Sequence, residues 1–245
     1  MKDLPPNPTI GAIILAAGRG KRMSSAIPKV LQRLNGRPML TYVIEVLSEL
    51  GFGSSLPTPV VVIGYGGEEI RVLLGDNAVY AQQSELLGTG DAAATGLTQL
   101  GPEVRTVLLV HGDEPMIEAH TFREMLALHQ RTRGLVLLTG DVQDTHGLGR
   151  VIRDSDGKIV GLVQDNELTE AQRAVREINF GAYVFDRAFL ERTLPTLEKH
   201  LAGEYYLTDL ISTASEVGVP VENVRAPFPD DQMGVNDPTQ LERAA

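Results

Sequence analysis

The 245 residues, 42% of them hydrophobic, are enough to bury a substantial core as one large α/β domain or two small ones. A net charge of −10 argues against a nucleic-acid surface, the absence of cysteine excludes disulfides and thiol catalysis, and no apolar run approaches the roughly 20 residues of a membrane helix. We therefore expect a soluble, cytoplasmic protein without a nucleic-acid or membrane partner.

The first predicted element is a buried strand, because residues 10–15 form a short apolar run, IGAIIL, rich in β-branched side chains. The loop after it combines small residues with cations: Gly18, Arg19, Gly20, Lys21 and Arg22. Small residues let a phosphate approach the backbone N–H groups, and cations neutralise its charge. Pro28 then fixes the approach of Lys29. The pattern predicts an anion-binding site at the carboxyl edge of a sheet.

Other interpretations of this stretch carry less weight. Neither of the common phosphate loops, G-x-x-x-x-G-K-[ST] or G-x-G-x-x-G, is present, so a flexible basic turn is the alternative. A signal peptide does not fit, because Asp3 and three prolines precede a very short apolar segment and no cleavage pattern follows. We expect residues 1–8 to form a loose terminal segment.

Helical and strand patterns alternate over the next part of the chain. A helix is predicted over residues 38–50, since Leu40, Val43 and Leu47 share one face at helical spacing. Buried strands are predicted at residues 60–63, 104–110 and 135–138, with helices that reach about residue 74 and span residues 118–133. The glycines within residues 64–67 are interpreted as a tight turn. Such alternation is typical of βαβ units and predicts a doubly wound, mostly parallel Rossmann-like α/β sheet.

A glutamine precedes the next turn, where Gly88-Thr89-Gly90 opens an alanine-rich helix. The side chain of Gln83 offers a donor and an acceptor together, as the imide edge of a base requires. The turn supplies free N–H groups at the helix N-terminus. An ordinary helix N-terminus with Thr89 as its cap is the alternative interpretation.

An aspartate follows the strand predicted at residues 104–110. Asp113, released by Gly112, points into the same crevice as the first loop, where a few carboxylates and several waters hold Mg²⁺ between nucleotide phosphates. An isolated Gly-Asp pair is most often a simple turn. We assign no catalytic role to His111, because lone histidines are mostly structural.

The pattern changes after residue 142, where alternating strands replace the βα units. Strands are predicted at residues 147–152, 158–163, 177–185 and 219–226. Helices are predicted at residues 187–201, over a segment that ends near residue 218, and at residues 238–245. Residues 154–157 form a hairpin turn, and residues 166–176 form a polar surface segment. We expect a single domain over residues 9–245, whose second half, from about residue 143, carries a smaller antiparallel β portion.

The motif L-A-A-G-x-G-x-R-M, followed by P-K-V-L, resembles the signature of the nucleotidyltransferases that make nucleotide sugars. It is most similar to the uridyltransferase domain of the bacterial bifunctional enzyme that makes UDP-N-acetylglucosamine. The segments G-x-G-R, E-I-N-x-G and G-E-Y-Y-L-T-D extend the resemblance from about Ile13 to Leu241. The resemblance implies the nucleotide-diphospho-sugar transferase fold, Mg²⁺ as the cofactor, and UTP and a sugar-1-phosphate as substrates. The family's later β-helix of hexapeptide repeats does not occur in these 245 residues.

The resemblance also implies a role for each matching residue. Arg22 and Lys29 are catalytic; Leu15, Ala16, Ala17, Gly18, Lys29, Gln83, Gly88 and Thr89 bind the nucleotide; His111, Gly112, Gly149, Gln164 and Asn179 bind the sugar; and Asp113 and Asn236 hold Mg²⁺. The loop N–H groups of residues 16–18 would contact the nucleotide. In the implied reaction, a sugar-1-phosphate oxygen attacks the α-phosphorus of UTP in line and pyrophosphate leaves.

Two positions depart from the family pattern: Gln164 stands where the family carries a glutamate, and Phe180 where it carries a threonine. Both lie in the sugar half, so a different sugar-1-phosphate or NTP, such as dTTP with glucose-1-phosphate, stays an alternative. CTP fits less well, because Gln83 favours an imide edge. A non-catalytic nucleotide-sugar sensor is a further alternative, against which the charged residues argue. No pattern predicts an oligomeric state.

Overall fold

The computed structural model describes residues 10–23, 25–230 and 234–244, with Lys21 and Arg243 described by their backbone alone. The predicted loose segment at residues 1–8 lies outside these ranges, as does Ala245 at the predicted end of the last helix. None of the helices within the ranges is both long and apolar enough to span a membrane.

Strands and helices alternate through most of the described chain. The strands are β1 (Ile10–Leu15), β2 (Arg33–Leu34), β3 (Arg37–Pro38), β4 (Val60–Ile63), β5 (Val79–Gln82), β6 (Thr106–His111), β7 (Leu135–Asp141), β8 (Arg150–Arg153), β9 (Ile159–Val163), β10 (Glu177–Asp186) and β11 (Val221–Arg225). The helices are α1 (Met39–Glu49), α2 (Gly67–Leu74), α3 (Thr89–Leu97), α4 (Ala119–Thr132), α5 (Glu170–Arg173), α6 (Arg187–Thr193), α7 (Asp209–Glu216) and α8 (Pro238–Ala244).

One large sheet organises the molecule, with the strand order β11-β7-β10-β6-β1-β4-β5. β10 is antiparallel to both of its neighbours, whereas the β6-β1-β4-β5 and β7-β11 pairs are parallel. β8 pairs with β10 and forms an antiparallel hairpin with β9. This arrangement confirms the predicted mostly parallel α/β sheet with a smaller antiparallel portion. The division of the chain near residue 142 stays a prediction.

The central strands are apolar on both faces because helices cover both sides of the sheet. Ile14 packs into a core formed with α1, α2 and α4, whereas its neighbour Ile13 packs into a second core formed with α3, α6 and α7. Both side chains are fully buried. Burial of a side chain of this size contributes on the order of 2 kcal/mol to stability. The central strands are thereby held rigidly, with their carboxyl ends at one edge.

Most predicted elements are confirmed within one to three residues, but two differences have clear local causes. The helix predicted over residues 187–201 is wrong beyond Thr193, where α6 ends and a single 3₁₀ turn, Leu194–Thr196, follows. Pro195 lacks the N–H that would donate to the carbonyl oxygen four residues earlier, so the α-helical hydrogen bonding cannot continue through it. The β2–β3 hairpin was not predicted, although Asn35-Gly36, both at positive φ, is the turn pair that such hairpins favour.

Candidate active site

Two adjoining cavities open beyond the carboxyl ends of β1 and β6, the position at which open α/β sheets bind ligands. The first cavity, of about 730 Å³, is bounded by the loop after β1 and the start of α3. The second, of about 410 Å³, is bounded by β10 and the β8–β9 hairpin. Six residues line both cavities: Arg22, Thr89, His111, Asp113, Glu204 and Asn236. The cavities therefore meet at a polar, charged junction.

The structure brings nearly all of the predicted site residues to these two cavities. The first cavity is lined by Leu15, Ala16, Ala17, Gly18, Arg22, Lys29, Gln83, Gly88 and Thr89. The second is lined by Gly149, Gln164 and Asn179, and the junction contains His111, Asp113 and Asn236. Gly112 differs, because it lines neither cavity. Its N–H donates to Leu15 O, and a Cβ would press on Val30 and Leu40, so it joins the end of β6 to β1 instead.

Two glycines hold Pro28 and Lys29 against the loop after β1. Gly20 has a φ of +64°, and a Cβ there would lie 2.5 Å from Lys29 Cβ. Gly66, with a φ of +72°, precedes α2, and a Cβ there would overlap the ring of Pro28. L side chains rarely adopt such φ angles, and no room exists for one. The turn at residues 64–67 thus also fixes the approach of Lys29.

The backbone N–H groups of the loop are not equally available. Ala16 N–H already donates to Val62 O at 2.9 Å, because the chain is still paired with β4 there. The expectation that Ala16 offers its N–H to a nucleotide is therefore wrong. The N–H groups of Ala17 and Gly18 donate to no residue that the structure describes. These two are the loop amides free to bind a phosphate or a base.

A cluster of two cations and two oxygen-bearing side chains occupies the junction. Lys29 Nζ forms an ion pair with the Asp113 carboxylate and donates to Asn236 Oδ1 at 2.8 Å. Arg22 Nη2 donates to the same Asn236 oxygen at 3.2 Å. Burial alone would raise the pKa of Asp113, but the charges of Lys29 and His111 and the hydrogen bonds to the carboxylate outweigh it and hold this pKa below its ordinary value. Asp113 is therefore ionised at neutral pH.

The two predicted magnesium ligands fit a hard cation. Asp113 and Asn236 both direct an oxygen at one positive charge, the ammonium group of Lys29. A carboxylate and an amide carbonyl are oxygen donors of the kind that Mg²⁺ takes in nucleotide sites, together with phosphate oxygens and water. Among the described residues, no group of three or more His, Asp or Glu side chains could hold a metal ion by itself. A metal bound here would take its remaining ligands from a substrate or from water.

Gln83 is held in one orientation at the wall of the first cavity. It is 4% exposed, and its Nε2 donates to Gly88 O at 3.1 Å and to Asp91 Oδ2 at 2.7 Å. Both amide hydrogens are thus used within the protein. Oε1 accepts from no residue in the described part of the chain. Gln83 therefore offers an acceptor alone to a ligand, which corrects the expectation that it offers a donor as well.

The start of α3 is tied to the segment of residues 204–208. Thr89 Oγ1 accepts a hydrogen bond from Leu207 N–H at 3.0 Å, so Thr89 is not the cap of its own helix. Tyr205 N–H donates to Leu87 O, and Gly90 N–H donates to Tyr205 O. The N–H groups of Gly88 and Thr89 donate to no described residue, so they stay available at the cavity wall.

The second cavity combines polar side chains with a buried aromatic. Asn179 Nδ2 donates to the Tyr183 hydroxyl at 2.6 Å, and its Oδ1 is buried without a partner among the described residues. Gln164 Nε2 donates to Thr208 Oγ1 at 3.3 Å. Phe180 also lines this cavity, and its side chain is almost fully buried in the core shared with α1 and α4.

Several lining residues were not singled out from the sequence. Glu204, Tyr206 and Thr208 line the second cavity, and all lie in the G-E-Y-Y-L-T-D segment, so the resemblance of that segment was the available signal. Glu114 lines it as well. Burial, and after it the charge of Asp113, raises the pKa of Glu114 well above its ordinary value. No motif pointed to it.

The strand order, the loop after β1 and the charged junction of two cavities fit the class of the protein, an NTP transferase domain. Residues 12–175 match the family model described as the MobA-like NTP transferase domain. This match spans more than half of the described chain, and the protein belongs to that family.

Relatives that are similar over nearly the whole chain confirm the resemblance inferred from the motifs. The bifunctional protein GlmU of Heliobacterium modesticaldum is 38% identical over 235 residues, which cover 95% of this chain and 50% of the relative. The bifunctional protein GlmU of Stenotrophomonas maltophilia is 41% identical over 239 residues, with coverage of 95% and 50%. The chain thus spans about half the length of the relatives that it matches.

Solved structures confirm the fold at low sequence identity. A protein described as a glucose-1-phosphate thymidylyltransferase from Bacillus anthracis, in complex with sucrose, has a TM-score of 0.75 at 17% identity, covering 96% of this chain and 93% of its own. A UDP-glucose pyrophosphorylase complexed with UDP-glucose has a TM-score of 0.68 at 18% identity, covering 84% and 87%. The predicted nucleotidyltransferase fold is therefore confirmed.

Proposed function

We propose that the protein transfers UMP from UTP to N-acetylglucosamine-1-phosphate and releases UDP-N-acetylglucosamine and pyrophosphate. The observation that carries the proposal is the cluster of Arg22, Lys29, Asp113 and Asn236 at the junction of the two cavities. Phosphoryl transfer needs charge neutralised where two phosphorylated substrates meet. A sensor that only bound nucleotide sugars would have no need of such a cluster.

In the proposed reaction, the protein positions the two substrates and stabilises charge at the α-phosphoryl group. The sugar phosphate oxygen forms a bond to the α-phosphorus of UTP as the bond to the pyrophosphate oxygen breaks. Lys29 and Arg22 donate to the phosphoryl oxygens as negative charge shifts among them. Asp113 and Asn236 would hold Mg²⁺, which supplies further neutralisation of the phosphates when it is bound.

The residues that line the first cavity favour a pyrimidine base with an imide edge. Gln83 Oε1 is the acceptor for the N3–H group that uracil and thymine share, and the N–H groups of Gly88 and Thr89 can donate to a base carbonyl. The N–H groups of Ala17 and Gly18 lie in the same cavity wall. Cytosine N3 is itself an acceptor, so it would face the acceptor Oε1 without forming a hydrogen bond. The proposal therefore includes UTP and not CTP.

The second cavity is the proposed site for the sugar. Asn179 and Gln164 line it, and Gln164 offers its carbonyl oxygen, so hydroxyl or amide donors of a sugar can be bound there. The motifs that resemble the uridyltransferase domain of the enzyme making UDP-N-acetylglucosamine favour the N-acetylglucosamine derivative. The two solved neighbours, described with glucose-1-phosphate and UDP-glucose, make glucose-1-phosphate with UTP or dTTP the second candidate. Gln83 binds uracil and thymine alike, so it does not separate the two.

A screen of substrates tests the proposal directly. Pyrophosphate release is measured with UTP, dTTP and CTP, each paired with N-acetylglucosamine-1-phosphate and with glucose-1-phosphate. We expect UTP with N-acetylglucosamine-1-phosphate to give the highest kcat/KM. A preference for glucose-1-phosphate would establish the second candidate. Release of pyrophosphate with none of the pairs, while UTP binding is retained, would support the sensor and reject both enzymes.

A further inference from the structure

We propose that Asp91 is a positioning residue for base selection, which it performs by fixing the amide of Gln83 so that only Oε1 faces the first cavity. The inference rests on the proposed function and deepens it, because it names what makes the site prefer an imide base. Asp91 does not line the cavity and would not touch the nucleotide. Its effect would pass entirely through Gln83.

The contacts around Gln83 allow one orientation of its amide. Nε2 lies between the Gly88 carbonyl oxygen at 3.1 Å and the Asp91 carboxylate at 2.7 Å. Both partners accept hydrogen bonds and cannot donate when Asp91 is ionised. An amide turned by 180° would place Oε1 against two oxygens and leave Nε2 without these acceptors. Because Gln83 is 4% exposed, water cannot relieve that arrangement.

Of the two contacts, the one with Asp91 is the stronger. It is the shorter, and it joins an N–H donor to a charged acceptor, a combination about twice as strong as a bond between neutral groups. Asp91 lies in the first turn of α3, where the unpaired N–H groups of the helix favour a negative charge. Its backbone oxygen accepts from Thr95 Oγ1 at 2.9 Å, which leaves the carboxylate free for Gln83. The helix thus presents the acceptor at a fixed place.

This fixed orientation has a chemical consequence for the base. Uracil and thymine present N3–H, a donor, and Oε1 accepts it. Cytosine presents an unprotonated N3, an acceptor, which would oppose Oε1 without a hydrogen bond. If the amide were free to turn, Nε2 could donate to cytosine N3 instead. A site whose amide cannot turn discriminates strongly between the two kinds of base, because the wrong base leaves buried polar groups unpaired.

The experiment compares UTP with CTP in variants that remove the acceptor, Asp91→Ala and Asp91→Leu. Two measurements are made: kcat/KM with N-acetylglucosamine-1-phosphate, and the Kd of each nucleotide by calorimetry. We expect the preference for UTP over CTP to fall by about tenfold or more in both measurements, corresponding to the loss of about one charged hydrogen bond. Asp91→Asn keeps an acceptor oxygen and should retain most of the preference.

A control variant separates base selection from a general effect on the helix. Thr95→Val removes the hydroxyl bonded to the Asp91 backbone but leaves the carboxylate in place, and it should keep the wild-type ratio. If one of the two variants without the acceptor, Asp91→Ala or Asp91→Leu, fails to fold, the other still tests the inference. An unchanged UTP-to-CTP ratio, or equal losses for both nucleotides, would overturn the inference. If the wild type binds UTP better than CTP but releases no pyrophosphate, the proposed function fails while the Kd ratios still decide the role of Asp91.

Discussion

Lys29 and Asp113 form an ion pair at the junction of the two cavities, with side chains that are 15% and 12% exposed. Lys29 follows the loop after β1, and Asp113 follows β6, the strand beside it. Partial exclusion of water strengthens the attraction between the two charges. The pair sets one cation and one anion where two phosphorylated substrates would meet. The cation favours a phosphate there, whereas the anion opposes it unless a metal ion neutralises it.

The first prediction concerns Lys29 itself. Lys29→Ala should lower kcat by about 100-fold, the effect of losing one strong donor to the transition state. Steady-state release of pyrophosphate measures it. Lys158→Ala, which removes an exposed lysine from the β8–β9 hairpin, serves as the control and should be neutral. A Lys29 variant within about threefold of wild type, less than 1 kcal/mol, would remove Lys29 from the mechanism.

The second prediction concerns the metal. Activity should vanish in EDTA and return with Mg²⁺, because the charge of Lys29 is already paired with Asp113 and cannot also neutralise the phosphates of both substrates. Asp113→Asn should raise the Mg²⁺ concentration needed for half-maximal activity by about tenfold or more, since a neutral amide binds the ion less well. Titration of activity with Mg²⁺ measures both effects, with the exposed Asp156→Asn as the control. Undiminished turnover in EDTA would contradict the assignment of Asp113 and Asn236.

The sequence predicted those parts of the molecule that depend on local patterns. The apolar runs of β1, β4 and β6 and the helical face of α1 predicted the parallel sheet, and the motifs led to both cavities. The helix break at Pro195 and the hairpin at Asn35 also had local signals, a proline and an Asn-Gly pair.

Other features could not be predicted, because they depend on contacts between separate elements of the fold. The N–H of Ala16 is used by Val62, and Thr89 binds the backbone of Leu207. The amide of Gln83 is held by Asp91, which lies in the first turn of the next helix. Residue type at each of these positions was informative. The partner and direction of each hydrogen bond could be known only from the folded structure.

The third prediction is a dependence of stability on pH that arises at His200. Its Nε2 lies 2.8 Å from Asp209 Oδ2 and its Nδ1 lies 3.3 Å from Glu167 Oε1. The hydrogen bond to Asp209, and after it the charges of both carboxylates, raises the pKa of His200 above its ordinary value of 6.5. The protonated form is thus favoured in the folded state. Its contribution to stability is fully present below pH 6.5 and is lost as the pH rises through the raised pKa.

We expect His200→Gln to be less stable than wild type at pH 6 and nearly equal to it at pH 8.5. The loss of Tm at pH 6 should be about 2 °C, as for a partly exposed ion pair worth ~0.5 kcal/mol. Thermal unfolding of both proteins at the two pH values measures it. The difference between variant and wild type cancels the opposite trend of His129, whose pKa burial lowers. His146→Gln, at an exposed site, is the control, and an equal Tm loss at both pH values would reject the ion-pair explanation.

The fourth prediction concerns Gln164, where the chain departs from the family pattern in the sugar half. The bond from its Nε2 to Thr208 Oγ1 is long, at 3.3 Å, and leaves the carbonyl oxygen as an acceptor for a sugar hydroxyl. A carboxylate at this position could accept from the Thr208 hydroxyl and from the sugar together. A charged acceptor is about twice as strong as a neutral one, and about 1 kcal/mol is at stake for each neutral bond. Gln164→Glu should therefore bind the sugar phosphate more tightly.

We expect Gln164→Glu to lower the KM for N-acetylglucosamine-1-phosphate by about fivefold, the equivalent of ~1 kcal/mol, with an unchanged KM for UTP. The second cavity is distinct from the wall that holds Gln83, so the substitution should change the KM for the sugar phosphate without changing the KM for UTP. Gln143→Glu makes the same chemical change at an exposed position and controls for added charge. If Gln164→Glu instead abolishes turnover with the best sugar-1-phosphate of the wild type, the glutamine specifies a different sugar, and N-acetylglucosamine is the wrong assignment.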